Sequence, residues 1–184
     1  YDTWYAPNNA ILVIVGHVEP RAALEEVEKY FAPIARKNVP KRPDLGLQPL
    51  KSESFTIRTD RSRGLAAIAF RMPGYGSGDY AASEVLADIL SSQRGSLYEL
   101  VVDGKALDID FSLLTLSAAG IAYAAASFPK GADTKALNKD MRRILASDLK
   151  KGFPAELVEA SKRNRLMRAE LQKNSIPGAA MVWS

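Results

Sequence analysis

The sequence predicts an α+β protein: a mixed or antiparallel sheet with its helices packed on one face. Two observations carry that expectation. Strand-like runs follow one another across short links, as where Leu107 to Leu116 and Gly120 to Phe128 are joined by Ser117-Ala-Ala-Gly, a connection short enough for a hairpin. The elements also read in the order βα, ββ, αα, ββ, αα, which favours helices gathered on one side of a sheet over alternating parallel units.

Ile11 to Val15 is a continuous β-branched and leucine run closed by Gly16 and reads as a fully buried strand. Pro20 suits the first turn of a helix, where its missing N–H costs nothing. Leu24, Val27 and Phe31 give that helix an apolar face, and Pro33 stops it. From Ala35 to Lys51 the text is rich in Pro and in Lys and Arg, including Pro40, Lys41, Arg42, Pro43 and Pro49, and reads as an extended surface connection inside one domain.

Phe55 and Ile57 alternate with Thr56 and Arg58 as in a half-exposed strand, and Leu65 to Met72 is a second, more apolar strand ended by Pro73 and Gly74. Asp79 stands where an N-cap belongs, ahead of a helix with Ala82, Val85, Leu86, Ile89 and Leu90 on its apolar face. Ser91-Ser-Gln-Arg-Gly95 breaks that helix; a short one follows with Leu97, Leu100 and Val101, and Gly104 suits its C′ position. After the hairpin, Asp133 can cap a helix bearing Leu137, Met141, Ile144 and Leu145, which Gly152 and Pro154 end. A long helix from about Ala155 to Asn174 stops before Pro177, and another begins beyond Gly178.

At 184 residues with 47% hydrophobic residues, the chain is long enough for a sizeable core, and one domain over residues 1–184 is expected. No apolar stretch approaches the roughly 20 residues that cross a bilayer. Zero cysteines exclude disulfides and thiolate metal sites. A net charge of +4 spread over this length reads as a solvated surface, so no nucleic-acid partner is expected.

Candidate chemistry is sparse, and no catalytic, cofactor-binding or metal-ligating residue is assigned. His17 is the one histidine, which rules out a two-histidine metal site within this chain and reads as a solvent-edge residue after a strand. Asp108 and Asp110 fall on one face of a strand, with Asp103 nearby; they could share a metal or a proton, but acids on an exposed strand face are the plainer reading. Arg94-Gly95-Ser96 lacks phosphate-loop spacing, and Ser96 reads as an N-cap. Lys162, Arg163, Arg165, Arg168 and Lys173 surround their helix, interrupted by Glu156, Glu159 and Glu170, as a solvated face does. Tyr5, Tyr30, Phe31, Tyr98 and Tyr123 are scattered in the manner of core aromatics.

Several segments in order carry a resemblance: Tyr5-x-Pro7-Asn8-Asn9, the run ending in Val15-Gly16, the helix ending in Tyr30-Phe31, then Ile89-Leu90 and Ser96-x-Tyr98-x-x-Leu100. Together they resemble the later part of one half of the M16, or insulinase-like, zinc peptidases, which include pitrilysin and mitochondrial processing peptidase. The resemblance implies the LuxS/MPP-like metallohydrolase fold and a C-terminal, inactive-type domain of a longer two-half peptidase. It implies a second M16-like half, fused or separate, closing with this one around a peptide substrate. It also implies zinc in the parent protein rather than here, since the H-x-x-E-H motif is absent and its ligands would lie before Tyr1. In the non-metal half of active members an arginine and a tyrosine approach the substrate; alignment on Leu100 puts Val101 and Asp108 at those positions. The loss of that pair points to the zinc half, and a non-catalytic half is the alternative. The glycine-rich stretch of some subunits is reduced here to Ser91-Ser-Gln-Arg-Gly95, so no gating role is assigned. Exported bacterial members lean the localisation toward the periplasm or cell envelope.

Overall fold

The hairpin expected from Ser117-Ala-Ala-Gly organises the structure. In a computed structural model describing residues 2–42, 44 and 46–183, β1 (Arg63–Pro73), β2 (Asp108–Thr115) and β3 (Ala119–Pro129) form one antiparallel sheet in the order β1-β3-β2. Thr115 pairs with Gly120 across the hairpin, and Pro73 of β1 pairs with Ala119 on the other side of β3. The end of β1 meets the turn closely. A Cβ on Gly74 would stand 2.5 Å from the Ser117 carbonyl oxygen, which leaves room for no other residue.

Helices α2 (Tyr80–Leu90), α3 (Glu99–Val102) and α4 (Thr134–Lys151) cover one side of this sheet: α2 lies on β1 and β2, α3 on β2 and α4 on β1. Their floor is a row of alanines, Ala122, Ala124 and Ala126, fully buried on one face of β3. With methyl groups at these three positions of the central strand, larger side chains from the helices and from the turn ahead of α3 can approach it, and Leu97, Leu100 and Met141 fill that space. Burying each is worth about 1.5–3 kcal/mol relative to exposure.

The local signals explain the helix limits. The Asp133 carboxylate accepts from the Lys135 and Ala136 main-chain N–H groups at 3.0 Å, capping α4, and Gly152 ends that helix at φ +77°. The expected apolar face of α4, Leu137, Met141, Ile144 and Leu145, is buried throughout. α5 (Ala155–Lys173) follows as expected, whereas α6 (Ile176–Trp183) begins ahead of Pro177 and Gly178 and not beyond them.

Other expectations need correction. Asp79 occupies the N-cap position of α2 but makes no side-chain cap bond; instead its own N–H donates to Ser77 Oγ. Ala82 is exposed, and Ser83 and Ala87 take inward places on α2. Ser96 is the first residue of a 3₁₀ turn, Ser96–Tyr98, with Gly95 at its N-cap. Tyr5, Tyr30, Phe31 and Tyr123 are exposed, not core.

The larger corrections concern two expected strands. Residues 11–15 form neither helix nor strand, and Ile11, Leu12 and Ile14 are 80%, 55% and 48% exposed. Phe55 and Ile57, 83% and 78% exposed, also lie outside any strand. A strand exists only where a neighbour accepts its ladder of hydrogen bonds, and no such neighbour is present for either segment among the described residues.

Two units are distinguished by their internal contacts. The sheet and its helices belong to Leu50–Arg165, and the described residues up to Pro49 and from Leu166 onward form the second unit. The second contains α1 (Pro20–Phe31), which starts on Pro20 as expected but buries no residue. Its Pro7-Asn8-Asn9 segment is a 3₁₀ turn with a structural task. Asn8 accepts from the Lys37 N–H at 3.0 Å and donates back to the Lys37 carbonyl at 3.1 Å, while Asn9 donates to the Trp4 carbonyl at 2.8 Å. Residues 35–42 are irregular and largely exposed, as expected of a surface connection. Tyr1, Pro43, Leu45 and Ser184 lie outside the described residues.

Candidate functional site

The side of the sheet away from α2, α3 and α4 is open. Alternation along each strand places Arg63, Leu65, Ala67, Ala69 and Arg71 of β1 on it, then Ile121, Tyr123, Ala125 and Ser127 of β3, then Asp108, Asp110, Ser112 and Leu114 of β2. Register gives rows across the face: Leu65, Ser127, Asp108; Ala67, Ala125, Asp110; Ala69, Tyr123, Ser112; Arg71, Ile121, Leu114. Leu65, Leu114, Ile121 and Tyr123 are exposed there. Charge is divided, with arginines on β1 and carboxylates on β2, about 10 Å apart across two strand spacings.

Asp108 and Asp110 share a face, as their spacing requires, and Asp110 accepts a hydrogen bond from Ser112 Oγ. Asp103 is elsewhere, past the end of α3, 3.7 Å from Lys105 Nζ. Val101 packs against the core and Asp108 stands on the open face, so the two positions aligned with the substrate-approaching arginine and tyrosine hold a core side chain and a surface acid.

Sequence reasoning missed an ion-pair cluster. Arg165 is not part of a solvated face: its guanidinium pairs with Glu84 and lies 2.7 Å from Asp88, with a further bond to Asp88 at 2.9 Å. Thr115 Oγ1 donates to Glu84 at 3.4 Å, tying β2 to the cluster. The Tyr80 phenol beside it is raised above its ordinary pKa, first by burial and then by the Glu84 charge. The separations of 81 and 77 residues left no local signal. Of the other cations on α5, Lys162 and Lys173 make exposed i,i+3 pairs with Glu159 and Glu170, as a solvated face does.

Ser96 donates to the Asp148 carboxylate near the C-terminal end of α4, at the wall of an open cavity of about 250 Å³ that Arg94, Glu99 and Phe153 also line. The one histidine of the sequence, His17, is exposed in the other unit. The donor set does not fit a zinc site: the chain has one histidine and no cysteine, and among the described residues no group of three His, Cys, Asp or Glu side chains could hold a metal. Among them no helix is long and apolar enough to cross a membrane.

Comparison with known proteins agrees with this architecture. The profile of the family described as Peptidase M16 inactive domain matches residues 1–165. A protease from Helicobacter pylori superposes on 98% of the chain with a TM-score of 0.84 at 19% identity, and the chain spans 46% of that protein. The inactive peptidase domain of a protein assigned as a zinc protease, from Bordetella parapertussis, matches 70% of the chain and 71% of its own, with a TM-score of 0.60 and 22% identity. Protein YhjJ of Salmonella typhimurium is 35% identical over 63 residues, 34% of this chain and 13% of that protein.

Proposed function

The chain belongs to the peptidase M16 family as an inactive-type domain, and on that premise we propose that it is the non-metal-binding, structural and substrate-chamber portion of an M16-like zinc metalloendopeptidase that hydrolyses peptides. The carrying observation is the one-sided sheet: helices bury one face, and the other presents Leu65, Leu114, Ile121 and Tyr123 to solvent between a basic and an acidic edge. A face of that kind, apolar with charged margins, suits an extended peptide held without chemistry.

In this reading residues 1–184 act as a single M16 C-terminal-type domain of a longer protein. Zinc belongs to the parent, where it would supply a polarised water for amide hydrolysis; this chain's share is to wall the chamber. Its partners are the peptide and a second M16-like half, fused or separate. The Escherichia coli structural relative PqqL is a periplasmic protease, which supports a periplasmic or envelope location here.

Val101 and Asp108, standing where an active non-metal half has arginine and tyrosine, favour a second reading as well: a non-catalytic M16-like subunit that binds peptides or supports a catalytic partner. Zinc stoichiometry and peptidase activity of the full parent protein, with this chain as control, separate the two. One zinc per parent and none in the control support the first. A zinc-free parent that gains activity only with a metal-bearing partner supports the second, and a parent with neither overturns both.

A further inference from the structure

Where β1 begins, the loop of residues 59–62 meets the open sheet face at a cavity of about 540 Å³, with Arg61, Ser62, Arg63, Leu65 and Ser127 in its lining. The Arg61 N–H donates to Thr59 Oγ1 at 3.2 Å and folds the loop back on itself. Arg63, Leu65 and Ser127 belong to the open face, and Leu65 and Ser127 share one of its rows. The cavity is therefore continuous with that face. Along β3, Tyr123 and Ile121 stand about 13 and 20 Å from Ser127.

The charge of this corner has no partner in place. Residues 58–63 hold three arginines, Arg58, Arg61 and Arg63, and one acid, Asp60. Among the described residues no carboxylate pairs with Arg61 or Arg63, and both are exposed. Asp108, the acid in the row of Leu65 and Ser127, lies two strands from Leu65, about 10 Å away. A guanidinium offers five donors and no acceptor, in a planar fork that matches an oxyanion, and Ser62 and Ser127 add hydroxyls. The ligand that completes such a corner is an anion, and the oxyanion that an extended peptide brings is a carboxylate.

We propose that this cavity is a carboxylate-binding subsite of the open face: Arg61 and Arg63 hold a carboxylate of an extended peptide whose apolar side chains, about four to six residues away, rest on Tyr123 and Ile121. This rests on the function proposed above and names the class of peptide that the face takes. The carboxylate is either the peptide's C-terminus or an Asp or Glu side chain.

Fluorescence anisotropy on the full parent protein tests this, with a chelator present so that peptides stay whole. The probes are N-terminally labelled octapeptides of Leu, Ala and Ser in four forms: free C-terminal carboxylate, C-terminal amide, amide with one Glu near the C-terminus, and amide with phosphoserine there. The free acid or the Glu peptide is expected to bind about tenfold tighter than the plain amide, and which of them does so identifies the source of the carboxylate. Arg61→Gln and Arg63→Gln are each expected to remove most of that preference while leaving the plain amide's affinity unchanged. Both side chains face solvent, so the melting temperature should stay within about 2 °C. Tyr123→Ala should weaken all four peptides alike, by about threefold.

Equal binding of acid and amide peptides, or a preference that survives both arginine substitutions, would overturn the subsite and leave the proposed function standing. A preference confined to phosphoserine would assign the corner to phosphate and overturn the carboxylate. Loss of the preference without any effect of Tyr123→Ala would detach the corner from the open face and overturn the proposal as stated. Binding of none of the four peptides would overturn the proposed function together with it.

Discussion

Replacing Met141 by alanine tests whether α4 is clamped to the alanine floor of the sheet. Met141 is fully buried, and truncation removes Cγ, Sδ and Cε from the core. At about 0.8 kcal/mol per buried methylene-sized group, the lost transfer energy is about 2.4 kcal/mol. A residual cavity of about 50 Å³, at about 24 cal/mol per Å³, adds about 1 kcal/mol, for a total of about 3.5 kcal/mol. For a domain of this size that lowers Tm by about 7–14 °C. Thermal unfolding followed by far-ultraviolet circular dichroism reads the shift. Leu149→Ala, on the same helix but 65% exposed, controls for helix propensity and should stay within about 0.5 kcal/mol. A Met141→Ala cost under about 1 kcal/mol, or one equalled by Leu149→Ala, would refute the packing of α4 described here.

Gly74→Ala should cost about 1–3 kcal/mol in a urea titration, because the new Cβ would meet main-chain atoms of Ser117, Ala118 and Ala119 at 2.5–2.7 Å; an unchanged midpoint would show that the turn yields freely. Asp133→Ala should cost about 1 kcal/mol through loss of the α4 cap, read in the same titration. Arg165→Met leaves Glu84 and Asp88 facing one another with most of their surface covered. It should cost about 1–3 kcal/mol, less when combined with Glu84→Gln, in a double-mutant cycle; additivity would show that the pair is uncoupled.

The Asp140 carboxyl is held below its ordinary pKa by the hydrogen bond from Lys105, and Lys105 is raised by the same contact. The carboxylate's contribution to stability is therefore present at neutral pH and lost as pH falls through the lowered Asp140 value, below the usual carboxylate range of about 4. The lysine's contribution is lost only as pH rises beyond about 10.5. In an NMR titration, Lys105→Ala should move Asp140 up toward the ordinary value, and an unmoved titration would remove the pair from the account.

Much of the fold is legible because its signals are local. Asp133, Gly152 and Pro154 mark the ends of α4 and the start of α5 within a turn of where they act, and Leu137, Met141, Ile144 and Leu145 announce the buried stripe by spacing alone. The hairpin is legible for the same reason: two alternating runs separated by a link too short to do anything but turn back. The candidate site is legible only in part. The alternation of Asp108 and Asp110 puts them on one face, but that this face is bare depends on α2, α3 and α4 all choosing the other.

What the amino-acid order determined by itself is therefore everything set within about one helical turn or one strand period: caps, breaks, faces and the hairpin. Tertiary structure alone decided which strand-like runs become strands and which charges become partners. Ile11 to Val15 has the composition of a buried strand and, among the described residues, no ladder to join, and Arg165 has the sequence surroundings of a solvated helix yet meets carboxylates about eighty residues away. In both cases the deciding energy lies between groups distant along the chain, a hydrogen-bond ladder in one and a desolvated ion pair in the other, and neither leaves a trace in local composition.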